Sequence, residues 1–169
     1  MRPLSKPAAV FLLLAIFGTA SPRAEEAVRS KNGLLPDEII SSEDLKAKLD
    51  AHEDFLLLDA RPRKTYDGGH IVGAELPRSE EYYRQEDLFT SGLAPSPADP
   101  DAGLAEGMKS IPRDRPVVTY CNSNCHASAM LALSLKKQGF TNVRSMEEGY
   151  QEWEKKDYPV VKPPLVASA

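Results

Sequence analysis

The stretch from residue 117 to residue 139 constrains the fold most, because its hydrophobic pattern changes within a few residues from that of a strand to that of a helix. Val117–Tyr120 is an apolar, largely β-branched run, typical of a buried strand. A short polar segment follows, and then an apolar helical face that we expect to end at Gly139. Strand, loop and helix in this order predict an open parallel α/β sheet. Cys121 then lies at the carboxyl edge, where such sheets bind ligands.

A second apolar run, residues 54–59, continues without a break until Asp59 and predicts a central strand buried on both faces. Shorter strands are expected at residues 39–40, 74–76 and 143–146. Because parallel strands need crossover connections, the alternation of strands and helices predicts a three-layer α/β domain.

Residues 1–24 have the features of a secretory signal: a basic start, an apolar stretch and a small-residue cleavage site. An uncleaved N-terminal anchor is the alternative. The apolar stretch is short for a bilayer span, so we expect cleavage, a secreted or periplasmic product and no stable membrane span afterwards. Loss of Arg2, Lys6 and Arg23 takes the net charge from −4 to −7. Such an acidic product is not expected to bind nucleic acid.

The 169 residues fit one domain with loose ends. We expect a flexible lead-in over residues 25–37, the domain itself over residues 38–162, and a tail over residues 163–169. Prolines and glycines interrupt every pattern in residues 86–115. That segment predicts an irregular insertion with one short helix near residues 102–109.

Cys121 is the strongest candidate for a catalytic residue. At the end of a strand and before a helix, its thiolate would face loop amides and a helix N-terminus, both of which favour an anion and lower a thiol pKa. An accessible cysteine of low pKa is a nucleophile, whereas the alternative is an inert buried thiol. The loop expected to bind an anion consists of Asn122, Ser123, Asn124, Cys125, His126 and Ala127.

Five short signatures, in this order along the chain, resemble the rhodanese-like domain family. They are residues 58–61, 69–74, 117–121, 139–143, and Glu148-Gly149-Tyr150 with Trp153. The resemblance covers residues 39–161 and implies a five-stranded parallel sheet flanked by helices. It also implies a single-domain sulfurtransferase that carries sulfane sulfur as a persulfide on Cys121, which is cradled by loop amides.

The reaction implied by the resemblance needs no metal and no organic cofactor. The Cys121 thiolate attacks the outer sulfur of a small sulfur oxyanion such as thiosulfate, sulfite leaves, and the persulfide passes to a small thiol or a protein thiol. Inward-pointing N–H groups stabilise the diffuse negative charge. Where related phosphatases have an arginine that clamps the oxyanion, this sequence has His126, which argues against phosphoryl transfer.

Cys125 is a second departure from the family pattern. It follows Cys121 by four residues, and the two can form a disulfide if their α-carbons approach within about 7 Å. Cys125 would then resolve a persulfide or sulfenate and give a thiol–disulfide redox protein. A permanent structural disulfide is an equal alternative, and a non-catalytic binding module on the same fold is a third.

Three further residues are expected to support the site. Asp59 and Arg61 follow the central strand, and we expect them chiefly to tie neighbouring loops together. His70 follows Gly68-Gly69 and is expected to fix a turn through a backbone hydrogen bond. A metal site built from the cysteines and histidines is disfavoured, because consecutive Cys125-His126 is awkward for tetrahedral ligation.

Overall fold

The computed structural model describes residues 29–93 and 106–164. The helices are α1 (Ser42–Asp50), α2 (Arg63–Asp67), α3 (Glu80–Thr90), α4 (Glu106–Lys109), α5 (Ala127–Lys137) and α6 (Tyr150–Lys155). The strands are β1 (Leu56–Asp59), β2 (His70–Ile71), β3 (Ala74–Glu75), β4 (Val117–Tyr120), β5 (Val143–Met146) and β6 (Val160–Val161). The predicted signal at residues 1–24 lies outside the described residues. Within the described ranges no helix combines the length and the hydropathy of a membrane span.

The main sheet has four parallel strands in the order β3-β1-β4-β5. Leu56 pairs with Val117, and Val117 pairs with Val143, so β4 lies between β1 and β5. Every residue of β1 and β4 is buried. The prediction of a central strand buried on both faces is therefore confirmed for Leu56–Asp59.

The predicted fifth parallel strand, at residues 39–40, is reduced to a single bridge. Ile39 pairs with Ser145, and the backbone N–H of Ile40 donates to Ser145 O at 3.1 Å. A 3-10 turn ends at Glu38 and Ser41 already caps α1, so only two residues remain for pairing. The sheet thus has four parallel strands rather than five, and β2 and β6 form a separate antiparallel pair.

Two apolar clusters cover the two faces of the sheet and give the three-layer arrangement. One joins Leu58 of β1 to Leu131 and Leu135 of α5. The other joins Val118 of β4 to Trp153 of α6. Parallel strands covered on both faces are the arrangement expected of a sheet with helical crossovers.

The lead-in and the insertion both contain more structure than the sequence predicts. Leu34 is 0% exposed and belongs to the core, and Asn32 donates its side-chain amide to Glu147 at 2.6 Å. The lead-in therefore packs against the domain through Asn32 and Leu34, whereas its residues 25–28 lie outside the described part of the chain. α3 is capped by Ser79 and continues to Thr90, so the start of the predicted irregular insertion is helical. Residues 94–105 of the insertion lie outside the described residues.

Candidate active site

Cys121 lies directly after β4, at the carboxyl edge of the sheet, and is 3% exposed. Its carbonyl oxygen accepts the backbone N–H of Tyr150 at 2.8 Å, which ties the strand end to the first residue of α6. The following loop leads into α5 at Ala127. The predicted order of strand, thiol, loop and helix is therefore present.

The loop turns back on itself between Asn122 and Cys125, where the N–H of Cys125 donates to Asn122 O at 3.2 Å. Asn124 adopts φ of 61°, a left-handed conformation that asparagine tolerates better than most residues. The N–H of Ala127 donates to Cys125 Sγ at 3.4 Å. Asn124 and His126 are exposed. His126 occupies the cap position of α5 without a side-chain cap bond.

α6 braces the loop from one side. Ser123 donates its backbone N–H to Gln151 Oε1 at 2.6 Å and its hydroxyl to Glu148 O at 2.6 Å. Gln151 also donates its amide to Asn122 Oδ1 at 3.0 Å. Gly149 has φ of +84°, and a Cβ added there would overlap the backbone of Asn122 and Ser123. Only glycine allows this close approach without strain.

Beneath the loop lies a buried ionic cluster. Asp59 is 0% exposed and accepts hydrogen bonds from the Arg61 guanidinium, with the shortest at 2.6 Å, and from the Tyr120 hydroxyl at 2.6 Å. Arg61 also donates to Gly69 O at 2.8 Å and stacks over the Tyr150 ring at 4.0 Å. The pair thus ties the loop after β1 to neighbouring loops, as expected for a structural role.

His70 lies in β2 rather than in the cysteine loop. Its Nδ1 is 3.0 Å from Tyr66 O, and its ring stacks on the Tyr66 ring with centroids 3.8 Å apart. The turn-fixing role of His70 remains a prediction. The loop residues, with Asp59 and Arg61, meet at the sheet edge.

The electrostatics of Cys121 differ from the low pKa predicted by the sequence. Burial, and to a smaller extent the neighbouring Cys125 thiol, together raise the pKa of the Cys121 thiol to about 12. The backbone N–H of Asn122 opposes this rise. Loss of hydration therefore outweighs the loop amide, and the resting nucleophile is a protonated thiol.

Both cysteines are free thiols in this structure, so the disulfide considered above is not formed. Cys125 is nevertheless close enough to raise the pKa of the Cys121 thiol. In the two described ranges, no group of three or more histidine, cysteine or acidic side chains is arranged to hold a metal ion. The chemistry available to the site is that of two adjacent thiols.

Sequence reasoning missed two residues that shape the loop. Gly149 was noted only as part of a signature, although its positive φ and its contact with the loop backbone make it necessary. Gln151 carries no sequence signal, because its partners Asn122 and Ser123 are 29 and 28 residues away. Contacts of this range are set by packing of the finished fold.

Known proteins similar to this chain include enzymes of sulfur transfer. This chain is 28% identical over 137 residues to the probable adenylyltransferase/sulfurtransferase MoeZ of Mycobacterium tuberculosis. The aligned region covers 80% of this chain but only 28% of MoeZ. This chain is also 28% identical over 102 residues to the thiosulfate sulfurtransferase GlpE of Pseudoalteromonas translucida, covering 60% of this chain and 75% of that protein.

Solved structures share the fold. The polysulfide-sulfur transferase of Wolinella succinogenes superposes with a TM-score of 0.51 at 17% identity, covering 85% of each chain. The Alr3790 protein of Anabaena sp. superposes with a TM-score of 0.53 at 23% identity, covering 75% of this chain and 94% of that one. The family model for the rhodanese-like domain matches residues 41–156. The chain therefore belongs to the rhodanese-like domain family, as its sequence signatures predict.

Proposed function

We propose that this protein is a sulfurtransferase that carries sulfane sulfur as a persulfide on Cys121. The observation that carries the proposal is the position of Cys121, buried directly after the carboxyl end of β4 and before the loop that leads into α5. The similarity to sulfurtransferases such as GlpE supports sulfur-containing substrates. The donor is a small sulfur oxyanion such as thiosulfate, and the acceptor is a thiol.

In the first half-reaction the Cys121 thiolate attacks the outer sulfur of thiosulfate. A bond forms between Cys121 Sγ and that sulfur, the sulfur–sulfur bond of thiosulfate breaks, and sulfite leaves with the electron pair. Because burial disfavours the thiolate, the thiol must lose its proton as the donor binds. The Asn122 N–H then stabilises the charge on sulfur.

Intact mass measured before and after thiosulfate tests this proposal. Persulfide formation adds one sulfur atom, about 32 Da, to the peptide that contains Cys121. We expect Cys121→Ser to abolish both the added mass and transfer to a thiol, while circular dichroism stays unchanged. Cys125→Ser is the matched control and should keep the added mass. Transfer retained by Cys121→Ser would contradict the proposal, whereas absence of any transfer by the wild-type protein would favour a binding module.

A second free thiol in the same loop, Cys125, favours a second candidate function, a thiol–disulfide couple. Cys125 would attack Cys121 Sγ of the persulfide, form the Cys121–Cys125 bond and release hydrogen sulfide. Mass spectrometry under a graded dithiol buffer tests this. A reversible loss of two hydrogens supports the couple, and two thiols that stay reduced in air with thiosulfate present contradict it.

We also propose export to the periplasm or the medium, supported by the basic start and apolar stretch of residues 1–24. The N-terminal sequence of the protein isolated from each cell fraction tests this. A mature chain that begins at Glu25 outside the cytoplasm is the expected result. A full-length cytoplasmic chain would contradict export.

A further inference from the structure

A cavity of about 190 Å³ adjoins the cysteine loop. This cavity, the side pocket, lies between α3 and the first turn of α5, and Tyr82, Glu86, Ala127 and Met130 contribute to its lining. Two guanidinium groups also line it: Arg61, which is engaged by Asp59 and Gly69 O, and Arg78, which stacks over the Tyr82 ring. Ala127 donates its N–H to Cys125 Sγ, and Ala60 donates its N–H to Tyr120 O at 2.8 Å, one residue before Cys121. The side pocket therefore shares Ala127 with the cysteine loop and lies next to the end of β4, from which Cys121 follows.

One wall of the side pocket is apolar. Met130 is 47% exposed although it lies near the start of a helix whose other apolar residues are mostly buried. Leu131 and the Tyr82 ring complete this wall. The volume corresponds to roughly six water molecules, which suits a ligand with a few methylene groups rather than a bulky molecule.

Glu86 gives the side pocket an unsatisfied acceptor. Its Oε2 is buried and has no hydrogen-bond partner in the described part of the chain. Burial and the neighbouring Asp87 raise the pKa of Glu86, whereas Arg78 and the backbone N–H of Arg63 oppose the rise. A buried carboxylate oxygen without a partner is costly, and a cationic donor relieves that cost best.

We propose that the side pocket binds the sulfur acceptor, and that this acceptor is a small aliphatic thiol carrying an ammonium group. The ammonium donates to Glu86 Oε2, the methylene groups pack against Met130 and Tyr82, and the thiol lies toward Cys121. This inference rests on the proposed sulfurtransferase function and adds the class of acceptor.

Transfer to the bound aminothiol is balanced without any further reactant. The acceptor sulfur attacks the outer sulfur of the Cys121 persulfide and forms a new sulfur–sulfur bond. The bond between Cys121 Sγ and the outer sulfur breaks, and its electron pair stays on Cys121. The proton of the acceptor thiol ends on Cys121, so the products are an aminothiol persulfide and a free Cys121 thiol.

Acceptor kinetics with three thiols of similar length test the inference. The thiols are cysteamine, 2-mercaptoethanol and 3-mercaptopropionate, each used with wild type, Glu86→Gln and Glu81→Gln. Glu81 lies on the same helix, is exposed and pairs with Arg84, so Glu81→Gln makes the same charge change outside the side pocket. The ratio of wild type to variant for each thiol cancels differences in intrinsic thiol reactivity.

We expect Glu86→Gln to lower kcat/KM for cysteamine about tenfold, because a charge-assisted hydrogen bond to the ammonium is lost. The kcat/KM for 2-mercaptoethanol should stay unchanged. The kcat/KM for 3-mercaptopropionate should rise, because the repulsion between two carboxylates is removed. Glu81→Gln should change none of them. Met130→Lys, at an exposed position, places a competing ammonium at the side pocket and should also lower the use of cysteamine. Equal ratios for all three thiols in both pocket variants would overturn the inference.

Two readouts separate this inference from the proposed function. Persulfide mass after thiosulfate reports the first half-reaction alone, and its absence would overturn the proposed function together with the acceptor role. Calorimetric titration with the unreactive 2-(methylthio)ethylamine reports the side pocket alone. We expect saturable binding that Glu86→Gln weakens about tenfold. Persulfide formation on Cys121 without such binding would contradict the proposed acceptor site but not the proposed sulfurtransferase function.

Discussion

The two sides of the cysteine loop differ in how their polar groups are satisfied. On the side of α6, Gln151 accepts the backbone N–H of Ser123 and donates to the Asn122 side chain. Beneath them, both carboxylate oxygens of Asp59 accept hydrogen bonds, from Arg61 and from Tyr120. On the side of α3, Glu86 keeps a buried oxygen without a partner in the described residues. The satisfied side is a scaffold that fixes the thiol, whereas the unsatisfied side is where a ligand gains most by binding.

If the Asp59 cluster is scaffold, breaking it should have the largest effect on stability. We expect Asp59→Asn to lower the free energy of unfolding by about 3–5 kcal/mol, because it leaves the buried Arg61 without its counter-charge. Urea denaturation measures this. The control is Asp54→Asn, whose exposed pair with Arg115 should contribute less than about 1 kcal/mol. Equal losses in the two variants would remove the contrast between core and surface pairs.

Gly149 tests whether close approach of α6 matters to the loop. We expect Gly149→Ala to cost about 1–3 kcal/mol, because alanine disfavours φ of +84° and its Cβ overlaps the loop backbone. The displaced loop should also slow persulfide formation. Gly92→Ala is the control, since Gly92 has φ of +72° but nothing within 4 Å of an added Cβ. A Gly149→Ala variant with normal loading would show that the loop does not depend on this contact.

The reactivity of Cys121 at different pH values tests how far Cys125 influences its pKa. Below a pKa of about 12 the thiolate fraction of Cys121 rises about tenfold per pH unit, so alkylation should accelerate across pH 7–9 without a plateau. Because Cys125 raises that pKa, Cys125→Ser should lower it and speed alkylation of Cys121 up to about tenfold at pH 8. Peptide mass spectrometry after timed iodoacetamide treatment measures this rate. An unchanged rate would show that burial alone sets the pKa.

Gln151 should have the smallest effect on stability. Its hydrogen bonds to Asn122 and Ser123 are exposed, so we expect Gln151→Ala to cost less than about 1 kcal/mol. Persulfide formation should nevertheless slow several-fold, because the loop loses its brace. Gln138→Ala removes a hydrogen bond to Ser134 at the far end of α5 and should leave loading unchanged. The rate of persulfide formation, measured by mass spectrometry on reactions stopped at set times, would distinguish the two variants.

Most of the sheet could be predicted from sequence because burial on both faces leaves continuous apolar runs, as at Leu56–Asp59 and Val117–Tyr120. α3 was underestimated because Tyr83 is its one buried residue, so its apolar periodicity is weak. The position of Cys121 follows from local sequence. Its raised pKa does not, because burial and the Cys125 contact arise only in the folded chain.

The single bridge between Ile39 and Ser145 also affects how much sheet edge the molecule leaves open. It covers part of β5 at one edge of the main sheet, and the opposite edge strand, β3, has only two residues. Tyr66 further occupies the carbonyl oxygen of Ala74 in β3. Short or covered edges offer little backbone for a second chain to extend the sheet. The two residues that fall short of a fifth strand thus reduce the length of open edge along β5.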